Sequence, residues 1–350
     1  MPKPARRSFG RPIDFKRGVV ELAHGSGGRA MAQLIEELFA RELSNVWLDQ
    51  GNDQACIDLP PGRVAVSTDS FVVSPLFFPG GDIGSLAVHG TLNDVAMSGA
   101  RPLHLTAGFI IEAGFPLADL KRIVESMAQA AAAADVSIVT GDTKVVERGQ
   151  ADGLFINTTG IGVVPENVML SGDRARPGDR ILVSGSLGDH GVAVMSLRSG
   201  LEFHTSIESD SAALHDLVRV MVEAVPELRC LRDPTRGGLA TSLNEIARQS
   251  GVGMCIREAG LPIAAEVAAA CELLGLDPLY VANEGKLIAI CPADDAERLL
   301  GVMRAHPLGK RAALIGEVEA DAHQFVRMQT AFGGDRVVDW LSGEQLPRIC

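Results

Sequence analysis

The chain has 350 residues, 46% hydrophobic and 22% charged, with a formal net charge of −12. That length suits two compact domains rather than one, and the composition supports large buried cores. The negative balance disfavours nucleic-acid backbones and anionic membranes as partners, and no apolar run reaches the roughly 18 to 20 residues that span a bilayer.

Residues 1–17 form a basic extension in which Lys3, Arg6, Arg7, Arg11, Lys16 and Arg17 face Asp14 alone. They lack the apolar core of a secretion signal, so a cytoplasmic location is expected. His24-Gly25-Ser26-Gly27-Gly28 then opens a helix whose apolar residues Met31, Leu34, Ile35, Leu38 and Phe39 recur at three- and four-residue steps. Backbone N–H groups of Gly25, Gly27 and Gly28 at a helix start favour phosphate. The loop matches neither the P-loop nor the dinucleotide fingerprint, and reads equally as a flexible helix entry.

Strands are expected at 64–68, 104–111, 137–140 and 154–164, with helices at 83–97 and 117–134. These fill a first domain, 18–170. A second, 171–335, repeats the alternation, with strands at 180–184, 253–257, 286–291 and near 313 and 325. Its helices are expected at 190–199, 211–224, 239–249, 264–274 and 294–305, giving mixed α/β lobes. Beyond Gly333 only Val337–Leu341 keeps a pattern, so 336–350 is expected to be a mobile tail.

Asp53, Asp69, Asp94 and Asp142 each fall at the end of an expected element beside a small or polar residue. Magnesium is commonly held by a few carboxylates together with substrate phosphates. A single Asp in such a setting suits a turn or a helix N-cap as well, and the case for a metal site rests on having four. The six Cys, at 56, 230, 255, 271, 291 and 350, include no C-x-x-C pair, which disfavours a disulfide framework or structural zinc. Cys350 ends the stretch Leu346-Pro347-Arg348-Ile349-Cys350. Out of context it is an exposed thiol; as a thiolate on a movable arm it would be a nucleophile.

Seven motifs, in order, carry a family resemblance: Thr68-Asp69-Ser70, Pro79-Gly80-Gly81, Asn93-Asp94-Val95-Ala96, Gly141-Asp142-Thr143-Lys144-Val145-Val146, Asp233-Pro234-Thr235-Arg236-Gly237-Gly238, Ala282-Asn283-Glu284-Gly285-Lys286 and Pro347-Arg348-Ile349-Cys350. The acidic ones resemble the superfamily of aminoimidazole ribonucleotide synthetase, selenophosphate synthetase and thiamine-monophosphate kinase. The last three narrow the resemblance to the HypE family of hydrogenase maturation. Pro234 stands where Ala is more usual, and the basic extension lies outside the family pattern.

The resemblance implies a two-lobe α/β (α+β) fold, a homodimer built by pairing N-terminal sheets, ATP at the dimer interface and a tail that reaches the nucleotide. It further implies ATP-dependent dehydration of a carbamoyl group on the Cys350 thiol, from thiocarboxamide to thiocyanate, supplying a cyanide ligand for [NiFe]-hydrogenase iron. The partners implied are the carbamoyltransferase HypF and the HypC–HypD complex. On this reading Glu284 is the base, and Lys144 stabilises charge on oxygen and phosphate. Gly25, Gly27, Gly28, Asn93, Asp142 and Thr143 bind ATP, and Asp53, Asp69, Asp94 and Asp142 hold Mg2+. His89, Asn283 and Asp233 orient the substrate. Two other readings remain open: a synthetase or kinase acting on a free small molecule, and a non-catalytic carrier.

Overall fold

A computed structural model describes residues 9, 11–200, 207–343, 346 and 348–350. Lys3, Arg6 and Arg7 of the basic extension and Pro347 of the closing motif lie outside them.

The chain enters through a 3-10 turn, Leu22–Gly25, into α1 (Arg29–Leu34), which runs through a π turn, Ile35–Phe39, into α2 (Ala40–Glu42). Next come β1 (Arg63–Phe71), the two-residue strands β2 (Phe77–Phe78) and β3 (Gly81–Asp82), α3 (Ile83–Met97), β4 (Arg101–Glu112), α4 (Leu117–Ala133), β5 (Ser137–Val146) and β6 (Leu154–Val164). The main sheet has the order β1-β6-β4-β5; β4 and β5 are parallel and the other pairs antiparallel. Asp82 starts α3 as its N-cap, accepting from Gly84 N at 2.8 Å and Ser85 N at 3.1 Å. Helix α3 lies against one face of the sheet, closest where β6 carries glycine: a Cβ on Gly162 would sit 2.6 Å from Val95 Cγ1. The amphipathic α4 buries Leu120, Ile123, Val124 and Met127 in the same layer.

Side chains alternate across a strand, and in β1 the even-numbered residues point away from α3. Val64 is 52% exposed and Val66 64%, and Ile110 of β4 is 45% exposed. The sheet therefore shows an apolar face with no covering layer among the described residues.

The second lobe comprises β7 (Arg180–Val183), α5 (Asp189–Arg198), α6 (His215–Ala224), β8 (Cys230–Arg232), α7 (Gly238–Ser250), β9 (Gly253–Arg257), α8 (Ala265–Leu274), β10 (Ile288–Cys291), α9 (Ala296–Ala305), β11 (Ala313–Glu319), β12 (Val326–Gln329) and β13 (Asp335–Val337). They form a seven-stranded sheet of order β13-β12-β9-β11-β7-β10-β8, in which only β9 and β12 are parallel neighbours. Helices cover both faces. Ile181, Val183, Ile288 and Ile290 turn toward α7, whereas Leu182, Ala289 and Cys291 turn toward α6 and α9. Two-sided burial explains why these strands read as continuous apolar runs. Ala96 and Met97 of α3 join the α6 core and tie the lobes together.

The structure corrects several expectations. Strand β5 continues to Val146, so Asp142, Thr143 and Lys144 lie within a strand rather than on a turn. Asp69 lies inside β1 and Asp94 inside α3. Residues 335–337 pair with β12 instead of opening a tail. Ile349 and Cys350, expected to be part of a mobile tail, are 1% and 9% exposed and belong to the first-lobe core. All six Cys are free, and no helix of the described residues is long and apolar enough to cross a membrane.

Candidate active site

Cys350 is brought into the fold by backbone bonding. Val72 N donates to Cys350 O at 3.1 Å and Ser74 N to Arg348 O at 3.1 Å, so the C-terminal segment lies along the chain that leaves β1. His190 Nε2 bonds to Ile349 O at 2.8 Å, Arg198 Nη2 donates to Arg348 O at 2.9 Å, and Arg348 pairs with Asp152 at 2.9 Å. Beside the thiol is a cavity of ≈ 310 Å³ bordered by Val72, Arg236, Tyr280 and Leu346. Burial pushes the Cys350 thiol up; the Glu284 charge adds to this and Arg236 opposes it.

Glu284 is 3% exposed, and its Oε1 has no hydrogen-bond partner. Desolvation first, then the charges of Asp233, Asp210, Asp69 and Asp94, hold its carboxyl well above the usual range. Asp233 Oδ2 is likewise buried without a partner, and burial together with the Asp94 charge raises this group to about 7. Asp94 accepts from Ser67 Oγ at 2.8 Å and is raised by burial. Asp69, Asp94, Asp233 and Glu284 thus act on one another as one acidic group, and the charges of Glu284 and Asp69 also act on the Cys350 thiol.

Other expected site residues collect elsewhere. Asp142 and Lys144 stand on the exposed sheet face, paired to each other at 2.9 Å, and the Lys144 bond lowers the Asp142 pKa. Asp142 and Thr143 border a largely apolar cavity of ≈ 280 Å³ with Phe39, Phe109 and Ile138. Thr140 Oγ1 donates to the backbone oxygen of Asp53 at 3.5 Å, placing Asp53 at the same edge. Gly25 packs on this strand too, since a Cβ there would meet Val145 N at 2.5 Å. Gly27 and Gly28 lead into α1, which has only six residues. The register runs Asp69 to Thr158, Thr158 to Ala107 and Ala107 to Gly141. Three strand spacings, roughly 14 Å, therefore separate the Asp69 end from the Asp142 end.

The expected site residues therefore fall into two groups: Asp69 and Asp94 with Glu284 and Cys350 near β1, and Asp53 and Asp142 with Lys144 at β5. The four expected metal ligands do not meet in one chain. Among the described residues no three His, Cys, Asp or Glu side chains converge to hold an ion by themselves.

Comparison with known proteins gives the lineage of this arrangement. Residues 51–164 match the N-terminal domain of AIR synthase related proteins and residues 176–329 the C-terminal domain. The carbamoyl dehydratase HypE of Azotobacter vinelandii is 72% identical over 338 residues, covering 97% of this chain and 99% of that protein. The chain belongs to the HypE family. A crystal structure of a HypE in complex with ATP is 54% identical, with a TM-score of 0.91 over 94% of this chain and 99% of the other. The HypE of a HypE–HypF complex is 51% identical, with a TM-score of 0.78, covering 88% of this chain and 99% of the other.

In this HypE family member two expected ligands are committed to structure. Asn93 Nδ2 donates to Ala212 O at 3.0 Å and Glu284 O at 3.1 Å, and its Oδ1 accepts from Leu214 N at 2.8 Å. Asn283 accepts from Gly188 N at 2.7 Å and donates to Pro234 O and Val281 O at 3.0 Å. Both are fully bonded and fix the Glu284 loop instead of facing a ligand. His89 Nδ1 bonds to Ser211 Oγ at 3.0 Å, and burial, then the His215 charge, lowers its pKa to about 4.

Sequence reasoning missed the HypE segment Ser209-Asp210-Ser211. Ser209 Oγ meets His190 Nδ1 at 2.7 Å. Asp210 accepts from Glu284 N at 3.1 Å, Gly285 N at 3.2 Å and Lys286 Nζ at 3.1 Å. Ser211 holds His89. Three successive residues thus support the Cys350 segment, the Glu284 loop and α3. Arg236 was also missed, although it lies in a quoted motif. Local patterning holds no signal for His190 or Asp210, because their partners are far away in the chain.

Proposed function

We propose that the chain is an ATP-dependent carbamoyl dehydratase acting on a carbamoyl group carried by its own Cys350. The observation that carries this is the buried Cys350 thiol within the electrostatic reach of the Glu284 carboxyl, whose Oε1 has no partner. A desolvated seat opposes thiolate formation but accommodates a neutral thiocarboxamide. The thiol therefore acts as nucleophile with the segment released, when it accepts carbamoyl from HypF, and the S–C(=O)NH2 group reacts with the segment seated.

Dehydration proceeds in two steps. The amide oxygen takes the γ-phosphoryl group of ATP, releasing ADP, and the nitrogen loses one proton, leaving S–C(=NH)–O–phosphate. Loss of the second N–H proton with phosphate as leaving group gives S–C≡N, so one water's atoms leave as phosphate oxygen and protons. The partnerless Oε1 of Glu284 suits the proton acceptor.

Lys144 and Asp142 lie too far from Cys350 in the same chain to take part. A second copy, paired through the exposed Val64, Val66 and Ile110 face, would bring its β5 partial site to the β1 partial site and give a homodimer with ATP between subunits. The acidic group fits Mg2+: Asp233 Oδ2 is an orphaned hard donor, and Asp69 and Asp94 supply the few carboxylates that magnesium shares with phosphates. Magnesium there would neutralise phosphate charge. The thiocyanate is then consumed by the HypC–HypD complex in the cytoplasm.

Incubation of carbamoylated protein with Mg-ATP should remove the mass of one water. ADP formation without that loss would sink the reading, and full activity of Cys350→Ala would favour a free small-molecule substrate.

A further inference from the structure

We infer that His190 is the positioning residue for the carrier segment: the imidazole on the first turn of α5 grips the Ile349 carbonyl and so sets the Cys350 sulfur against Glu284.

A carbonyl oxygen only accepts, so Nε2 carries the hydrogen in the 2.8 Å bond to Ile349. Nδ1 of the neutral ring then accepts from Ser209 Oγ at 2.7 Å, and Ser209 Oγ in turn accepts from Ser211 N at 3.1 Å. Burial lowers the His190 pKa, in keeping with the neutral ring. The ring is 0% exposed, and Phe78 stands edge-on to it at 5.4 Å and 89°. Ring plane, tautomer and donor direction are therefore all fixed before the segment arrives.

The grip acts on backbone, one residue before the sulfur. It leaves the thiol unbonded to His190, so its chemical state can change while the seat stays the same. The Val72 and Ser74 amides set the height of the segment along the chain that leaves β1, and His190 approaches from the second lobe, fixing which way residue 350 faces. Release breaks the His190 bond together with the backbone bonds from Val72 and Ser74, and it strands the preorganised His190 donor in a buried setting, which favours the seated segment.

The catalytic meaning of this inference rests on the dehydratase reading, but its test needs no turnover. Nucleotide-free protein is treated with iodoacetamide, and alkylation of each Cys is timed by peptide mass spectrometry. His190→Phe, which keeps the ring volume and loses the donor, should speed Cys350 labelling by about 5- to 50-fold. His190→Gln, which restores an N–H donor, should stay within about threefold of wild type, and Ser209→Ala should fall between. Equal Cys350 rates in the Phe and Gln variants would overturn the inference. So would a parallel rise at the core thiols Cys230 and Cys291, which marks general loosening. If wild-type carbamoylated protein fails to lose water while the labelling order holds, the dehydratase reading falls and the seating role stands.

Discussion

The side-chain amide of Asn93 donates to the backbone oxygen of Glu284 at 3.1 Å, joining α3 of the first lobe to the loop of the second that presents the carboxylate. Asn93 makes two further bonds, donating to Ala212 O and accepting from Leu214 N. Asn93→Ala should therefore cost about 2–4 kcal/mol, since several buried groups lose partners together. Urea denaturation reads that loss; nucleotide affinity of the folded fraction should change by less than about threefold. A large affinity loss without destabilisation would make Asn93 a nucleotide ligand.

Glu284→Gln tests the base directly. The amide fills the same space and removes one member of a mutually repelling acidic group, so thermal stability should hold or rise while water loss from carbamoylated protein falls by at least about a hundredfold. Equilibrium dialysis should find ATP binding within a few-fold of wild type. Retained dehydration would remove Glu284 from the chemistry.

Complementation tests the division of the site between subunits. Lys144→Ala and Glu284→Gln homodimers should each be inactive. In a mixed dimer one site combines intact Glu284 and Cys350 from one chain with intact Lys144 from the other. Subunit exchange should therefore restore about a quarter of wild-type activity, from random pairing and one working site per mixed dimer. No recovery after demonstrated exchange would place both residues in one subunit's chemistry.

His89 supplies an acid-side prediction. Its folded value of about 4 lies below the ordinary histidine value of 6.5, so between those pH values the unfolded chain binds more protons. The stability it contributes is present above pH 6.5 and is lost as pH falls toward 4, to a limit of roughly 3 kcal/mol. His89→Gln should flatten the decline of stability between pH 6.5 and 4 in denaturant titrations. An unchanged slope would assign the acid sensitivity to other histidines, such as buried His190 and half-buried His215, whose pKa values burial also lowers.

The elements that bury a face were legible in the sequence, because period and burial coincide in α4 and in the apolar runs of β7 and β10. Strand β5 was cut short because its second half reads Gly-Asp-Thr-Lys, in which exposed Asp142 and Lys144 flank a buried but polar Thr143, with no apolar alternation left to follow. Strands β2, β3, β8 and β13 are too short to show a period. Glu284 and Cys350 stood out by their motifs, yet their adjacency depends on Asn93, Asn283 and His190, whose contacts cross between lobes. Spacing within one chain also gave no warning that Asp53 and Asp142 sit across the sheet from Asp69 and Asp94.

Ser209, Asp210 and Ser211 each hold a different part of the site: the His190 ring, the Glu284 loop and His89 of α3. Lengthening or shortening this stretch by one residue would misdirect all three attachments at once, whereas a conservative exchange at one position would disturb a single attachment. Insertions and deletions there should be far less tolerated than point substitutions, although the segment has no regular secondary structure and looks in sequence like ordinary loop.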